Sequence, residues 1–257
     1  MARFSVFRFD DAAATAPYAP TARADGVVSC RRLSPEDYSV WLLDAAFAPG
    51  GTIRWDESHG DEAVYVVEGE LSYDGRTCPT GGAVVVESGA EAEVSAVGPT
   101  RVAHFGTRDV APPADGPLGA PYPMPHGVHV VGPRGRWTSG RREQVKATWF
   151  ADSTCATCRA ALFLVEADEG HDGPPHSHSQ DEIIYLLDGG LRMGARSMGP
   201  WTSLCIPGGL RYSFRSAGVG HRFLNFRADV SYQTSVGAEP LLETPMARGG
   251  DHVGDLR

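Results

Sequence analysis

Short apolar runs closed by turn residues dominate the chain. Val64-Tyr65-Val66-Val67 and Ile184-Tyr185-Leu186-Leu187 are continuous apolar stretches, each followed by an acidic residue and a glycine. That is the pattern of a buried strand entering a turn. The opening residues, 1–10, alternate apolar and polar and lack a long apolar core, so they read as a strand rather than a signal peptide. The pattern predicts strands over 40–47, 62–68, 82–87, 91–96 and 100–106. It predicts a second series over 160–167, 182–188, 202–207, 211–215 and 221–230. No amphipathic helix of any length stands out, and 31–39 has room for a single turn. The expectation is an all-β protein.

The two series are copies of each other at an offset of 120 residues. Gly50 falls on Gly170, Asp61-Glu62 on Asp181-Glu182, Tyr65 on Tyr185, Gly69 on Gly189, Gly89 on Gly209 and Asp109-Val110 on Asp229-Val230. One register held across about 60 residues points to an internal repeat. The expected organisation is residues 1–120 as one module and 121–257 as a second, joined through a Pro- and Gly-rich stretch, 111–133. Beyond Gln233 strand periodicity fades, which predicts a polar, draped tail.

Composition narrows the picture. Among 257 residues, 31 Gly and 19 Pro suit a chain with many tight turns. With 23 Lys+Arg against 32 Asp+Glu the net charge is −9. That disfavours a nucleic-acid partner, which needs clustered positive charge. No apolar run approaches the ~18 residues of a membrane span. Five cysteines are too few for a disulfide scaffold, and a reduced cytoplasm is the expected compartment. The chain is expected as a monomer with internal pseudo-dimer symmetry or as a homodimer.

Candidate chemistry concentrates in the second copy. His176 and His178 are two apart, so on a strand both imidazoles share a face. Glu182 follows with the same parity. Two imidazoles and a carboxylate suit one divalent transition metal per chain, Fe(II) first, with Mn, Ni, Cu or Zn as alternatives. On the last strand His221, Phe223, Asn225 and Arg227 share a face that either meets substrate or lies on a solvated edge. Arg192 is a candidate clamp for a substrate carboxylate. Cys155 and Cys158 form a Cys-x2-Cys pair, but no second half of a zinc site is visible, and they read as ordinary loop residues. Cys205 reads as a buried core thiol. His104, His126, His129 and His171 show no interpretable spacing. In the first copy the offset puts Asp56 on His176, Ser58 on His178, Glu62 on Glu182 and Ala92 on Tyr212. Only the carboxylate survives there, and a hard cation between Asp56 and Glu62 is a remote alternative to a purely structural role.

The segment from Gly170 to Gly189 resembles the first cupin motif, G-x5-H-x-H-x3-E-x6-G, at Gly170, His176, His178, Glu182 and Gly189. Pro207-Gly-Gly209 resembles part of the second motif, but Tyr212 stands where that motif has its fourth metal ligand, a histidine. The resemblance implies two tandem cupin-type double-stranded β-helix (jelly-roll) barrels, the first degenerate and the second metal-bearing. It implies a small-molecule substrate and an Fe(II)-type dioxygenase. The alternatives are an O2-independent lyase, isomerase or decarboxylase with Tyr212 as acid/base, or a non-catalytic binding protein. Tyr212 itself is read as a metal ligand, a proton donor or filler, with the proton donor preferred.

Overall fold

In the computed structural model of the protein, described over residues 3–15, 18–108, 127–142, 145–152, 155 and 157–253, nearly all regular structure is antiparallel strand. The one helical element among these residues is a 3-10 turn at Phe9–Asp11. No helix among them is long and apolar enough to cross a membrane. His126 and most of the Pro-rich stretch fall outside the described residues.

Two nine-stranded sheets form the body, with a three-stranded sheet beside them. In one large sheet Thr100–Thr107 lies between Val40–Trp55 and Glu62–Glu68, and Ala83–Val86 follows on the far side of Glu62–Glu68. In the other, Arg215–Arg227 lies between Ala161–Ala167 and Glu182–Met193, and Thr202–Ile206 follows. The registers correspond. Glu62 faces Val86 and Gly106, while Glu182 faces Ile206 and Arg227. Asp61 Oδ1 accepts the Ser88 amide at 2.8 Å, and Asp181 Oδ1 accepts the Gly208 amide at 2.8 Å. Two strands sit away from their sequence neighbours. Ser5–Arg8 pairs with Thr202–Ile206, and Val128–Val131 pairs with Ala83–Val86.

Alternation along these strands sorts the apolar side chains into separate cores. One cluster, with Trp41, Val64 and Val86, belongs to the earlier sheet. A second, with Ile184, Leu204, Tyr212 and Phe223, belongs to the later sheet. The third combines Leu42, Tyr65 and Phe105 of the first with Ile183, Tyr185 and Phe226 of the second, and so lies between them. Phe105 stacks on Phe226 with centroids 5.3 Å apart. Within this joint the buried Asp44 takes a two-pronged contact from Arg101, at 2.9 and 2.8 Å, and the hydroxyl of Tyr185 donates to the same carboxylate.

The structure departs from the expected pattern at several points. Residues 211–214 form no strand and contribute an isolated bridge at Tyr212, and Trp137–Arg142 and Val145–Ala151 are strands outside the expected series. Ala22–Arg32 is an eleven-residue strand whose many exposed positions hid it from a search for apolar runs. The tail is also ordered. Tyr232–Ser235 pairs with His176–His178, and Leu241–Leu242 pairs with Tyr232–Ser235. Its side chains are largely polar because the strands cover a polar site rather than a core.

Gly189 shows why the motif ends in glycine. Its φ is +71°, and it sits where the register of Glu182–Met193 against Arg215–Arg227 shifts by a bulge. A Cβ there would lie 2.1 Å from the Gly220 carbonyl oxygen. Gly170 has a similar φ of +79° but open space around it. Gly170→Ala should therefore lose only the left-handed backbone penalty of about 1–2 kcal/mol. Gly189→Ala should lose about 1–3 kcal/mol more through the clash. Urea denaturation of the two variants checks this, and equal losses would contradict it.

Candidate metal centre

The strand His176–His178 is only three residues long, yet it aims two imidazoles at one place. Their ring centroids are 4.9 Å apart and both side chains are buried. Mutual backbone hydrogen bonds of 2.9 Å between His176 and Tyr212 bring the phenol alongside, with its ring 4.6 Å from that of His176. His176 Nδ1 donates to the Pro174 carbonyl at 2.7 Å. His178 Nδ1 lies 2.6 Å from Glu243 Oε2, a charge contact made off the N–H axis. The Pro174 carbonyl assigns the proton of the His176 ring to Nδ1 and leaves its Nε2 lone pair for another ligand. Burial holds the His176 imidazole below its usual range, against the Pro174 hydrogen bond, which favours the cation.

Glu182 opens the next strand at 1% exposure. The Tyr212 hydroxyl donates to its Oε1. Asn225 Nδ2 donates to Oε2 at 2.7 Å, and Arg227 Nη2 donates to the same oxygen at 3.0 Å. Burial alone would raise this carboxyl. The proximity of His178 and Arg227, with the hydrogen bonds from Tyr212 and Asn225, outweighs it and holds the group below the ordinary carboxylate range. Tyr212 moves the other way. Burial first, and then the Glu182 charge, push its hydroxyl well above 10, so it stays a neutral donor.

Glu243, from the segment expected to be a draped tail, completes the network. It is buried and receives donors from Arg227 Nη1 and Arg248 Nη2. Burial raises this carboxyl, but Arg227 and the contact with His178 hold it well below its usual range. Nothing in its local sequence marks it, because its partners lie 16 and 65 positions upstream.

The structure assembles part of the expected site and redistributes the rest. His176, His178, Glu182 and Tyr212 come together. Asn225 and Arg227 join them, with Asn225 Nδ2 and Arg227 Nη2 donating to Glu182 and Arg227 Nη1 to Glu243. Arg192 does not join. It is exposed and donates to the Gly194 carbonyl at 3.2 Å, because its place on the strand turns it to solvent. His221 lies further along the strand, stacked on Phe223 at 5.4 Å and bonded through Nδ1 to Ser216 Oγ at 2.9 Å.

In the first copy the matching carboxylate is sealed. Trp55 Nε1 donates to Glu62 Oε2 at 2.6 Å, His104 Nε2 lies 2.8 Å from the same oxygen, and Thr21 donates to Oε1. The pairing corrects the 120-residue alignment by one position. Ala92 faces Trp55, as Tyr212 faces His176, so an indole rather than Asp56 occupies the place of the first imidazole. Asp56 is exposed and caps the Ser58 amide, away from Glu62. His104, on the strand position that matches Asn225, is the partner that spacing did not reveal.

His178 and Glu182 present two donors of the types that a divalent ion takes. His178 Nε2 is 3.9 Å from Glu182 Oε1. That is less than twice a metal–ligand length of ~2.1 Å, so both atoms can reach one centre. Nearby, His221 carries a pH signature of its own. Burial, and secondarily the charge of His171, push its imidazole down to about 4. Between about pH 6.5 and 4 the unfolded chain binds a proton here that the folded chain does not. Stability should therefore fall as pH drops through that window. The slope of denaturation midpoint against pH should be shallower in His221→Phe, and an unchanged slope would contradict the assignment.

No family profile and no curated relative matches the sequence. Solved structures do match it. An oxalate decarboxylase studied for its substrate binding mode superposes with a TM-score of 0.65 at 15% identity, over 90% of this chain and 79% of that one. A Bacillus subtilis oxalate decarboxylase studied for its Mn(II) centres gives 0.64 at 15%, with the same coverage. At this identity the likeness speaks for the fold, and with the strand plan above it shows that the chain has a cupin fold.

Proposed function

We propose that the protein is a metal-dependent enzyme of the lyase or decarboxylase class, acting on a small carboxylate- or carbonyl-bearing molecule. One observation carries the reading. A buried, neutral phenol, Tyr212, donates to the candidate ligand Glu182 beside the rings of His176, whose Nε2 lone pair is left for a ligand, and His178. His176, His178 and Glu182 would hold the ion, and the ion would supply Lewis-acid polarisation of a bound oxygen.

The protein groups divide the remaining work. Asn225 and Arg227 hold Glu182 ionised and fix its orientation. Glu243 holds His178 from behind, as outer carboxylates do for metal-bound histidines. With Glu182 holding the ion, the Tyr212 hydroxyl that now donates to its Oε1 would be available as a proton donor. The earlier copy, its carboxylate sealed by Trp55 and His104, serves as the scaffold. This reading treats the repeat as two cupin modules, the second carrying the chemistry.

The dioxygenase reading has less behind it. The fold matches are to oxalate decarboxylases, and one concerns Mn(II), which stands among the metals the donor set suits. Nothing singles out Fe(II).

Manganese-loaded protein should release carbon dioxide or an equivalent cleavage product from a small carboxylate without stoichiometric oxygen uptake. Oxygen consumed mole for mole with product would restore the dioxygenase. Tyr212→Phe should keep its metal and lose about 10²–10⁴-fold in turnover. His176→Ala should lose the metal itself, as read by elemental analysis. Metal lost from Tyr212→Phe would make the phenol a ligand instead.

A further inference from the structure

A second set of metal-type donors lies away from this pocket. Glu87 follows the strand Ala83–Val86, His129 is on Val128–Val131, and Cys155 and Cys158 lie between Val145–Ala151 and Ala161–Ala167. One ligand atom from each of the four falls within 4.8 Å of all the others. Glu87 Oε1 is 2.6 Å from His129 Nε2 and 3.3 Å from Cys155 Sγ, and Cys155 Sγ is 4.0 Å from His129 Nε2. Read along the sequence, Cys155 and Cys158 lack the second half of a site. In space, Glu87 and His129 supply it from 68 and 26 positions away.

Charge makes this grouping unusual. Glu87 and both thiols are buried, and all three can become anions. Crowding such groups out of water is unfavourable unless a cation joins them, and the single half-buried imidazole is a weak counterweight. Two sulfurs, one imidazole and one carboxylate make the donor set of a closed tetrahedral zinc site, and Cys-x2-Cys is the spacing zinc sites use. Ligands on such an ion stand roughly 3.3–3.8 Å apart, so the observed donors need shifts of under about 1 Å to surround it.

The surroundings are built to hold these donors. Thr157 Oγ1 donates to Glu87 Oε1 at 2.5 Å, and the Gly127 amide donates to Oε2 at 2.7 Å. The Cys158 amide donates to Cys155 Sγ at 3.3 Å. Asp61 accepts the amides of Ser88 at 2.8 Å, Arg159 at 2.6 Å and Ala160 at 3.0 Å. One carboxylate thus pins the residue after Glu87 and the residues after Cys158 to a common point.

We propose that Glu87, His129, Cys155 and Cys158 form a four-ligand structural site for a zinc-class divalent ion, separate from the His176 pocket. The ion would fasten the Val128–Val131 strand of the earlier sheet to the loop leading into Ala161–Ala167 of the later one. Four protein ligands leave no open position, so the role is structural.

Cobalt(II) substitution of the full chain tests this. Tetrahedral thiolate coordination should give a sulfur-to-metal charge-transfer band and intense visible bands. Both should persist in His176→Ala and vanish in the Cys155→Ser/Cys158→Ser double variant. The native protein should also hold one more equivalent of zinc than that variant. If the double variant does not fold, His129→Gln retains both thiolates and should weaken zinc binding by at least about 100-fold. Unchanged affinity there, or no thiolate bands in the wild type, overturns the site. So does a denatured, chelated protein with three free thiols instead of five, which would mean a Cys155–Cys158 disulfide.

Discussion

A carboxylate buried at the head of a central strand governs the architecture of both halves of the chain. A carboxylate buried to 1% exposure or less is tolerable only if its oxygens meet donors, and both oxygens of Glu62 and of Glu182 do so, with different casts. Around Glu62 the donors are an indole, an imidazole and a threonine hydroxyl. Around Glu182 they are a phenol, an amide and a guanidinium, with two further imidazoles alongside. Four strand-equivalent exchanges accompany the two outcomes: Trp55 against His176, Ala92 against Tyr212, His104 against Asn225 and Gly106 against Arg227.

Arg227 illustrates how the second cast stays stable. It is a buried cation shared by Glu182 and Glu243, and Arg248 reaches Glu243 from outside. The alternation of like and unlike charge keeps each member offset by its neighbours, and each also gains hydrogen bonds. The strands of the tail exist because this polar group needs a lid. Glu243 belongs to the lid and to the network at once.

Much of this was legible in the residue order. The apolar runs 63–67 and 183–187 announced the strands Glu62–Glu68 and Glu182–Met193, and the two-residue spacing of His176 and His178 matches rings whose centroids lie 4.9 Å apart. What escaped shares one physical cause. Ala22–Arg32 is an exposed strand without a clean alternation. Glu243, His104 and the partners of Cys155 are polar groups whose meaning lies in contacts across tens of residues. Periodicity reports which face is apolar, and it carries no information about which polar side chains from distant strands will meet. Arg192 marks the opposite error, a plausible side chain on an outward-facing position.

The placement of Ser5–Arg8 has a bearing on how the chain is made. This segment leaves the ribosome well ahead of its partner Thr202–Ile206, which emerges almost 200 residues later. At about 5–20 residues per second that is a delay of roughly 10–40 s. Throughout that interval the edge-forming residues have no strand to join, whereas Val128–Val131 can close the earlier sheet soon after its own synthesis. The pairing of Ser5–Arg8 therefore closes the later sheet only after both large sheets have most of their strands.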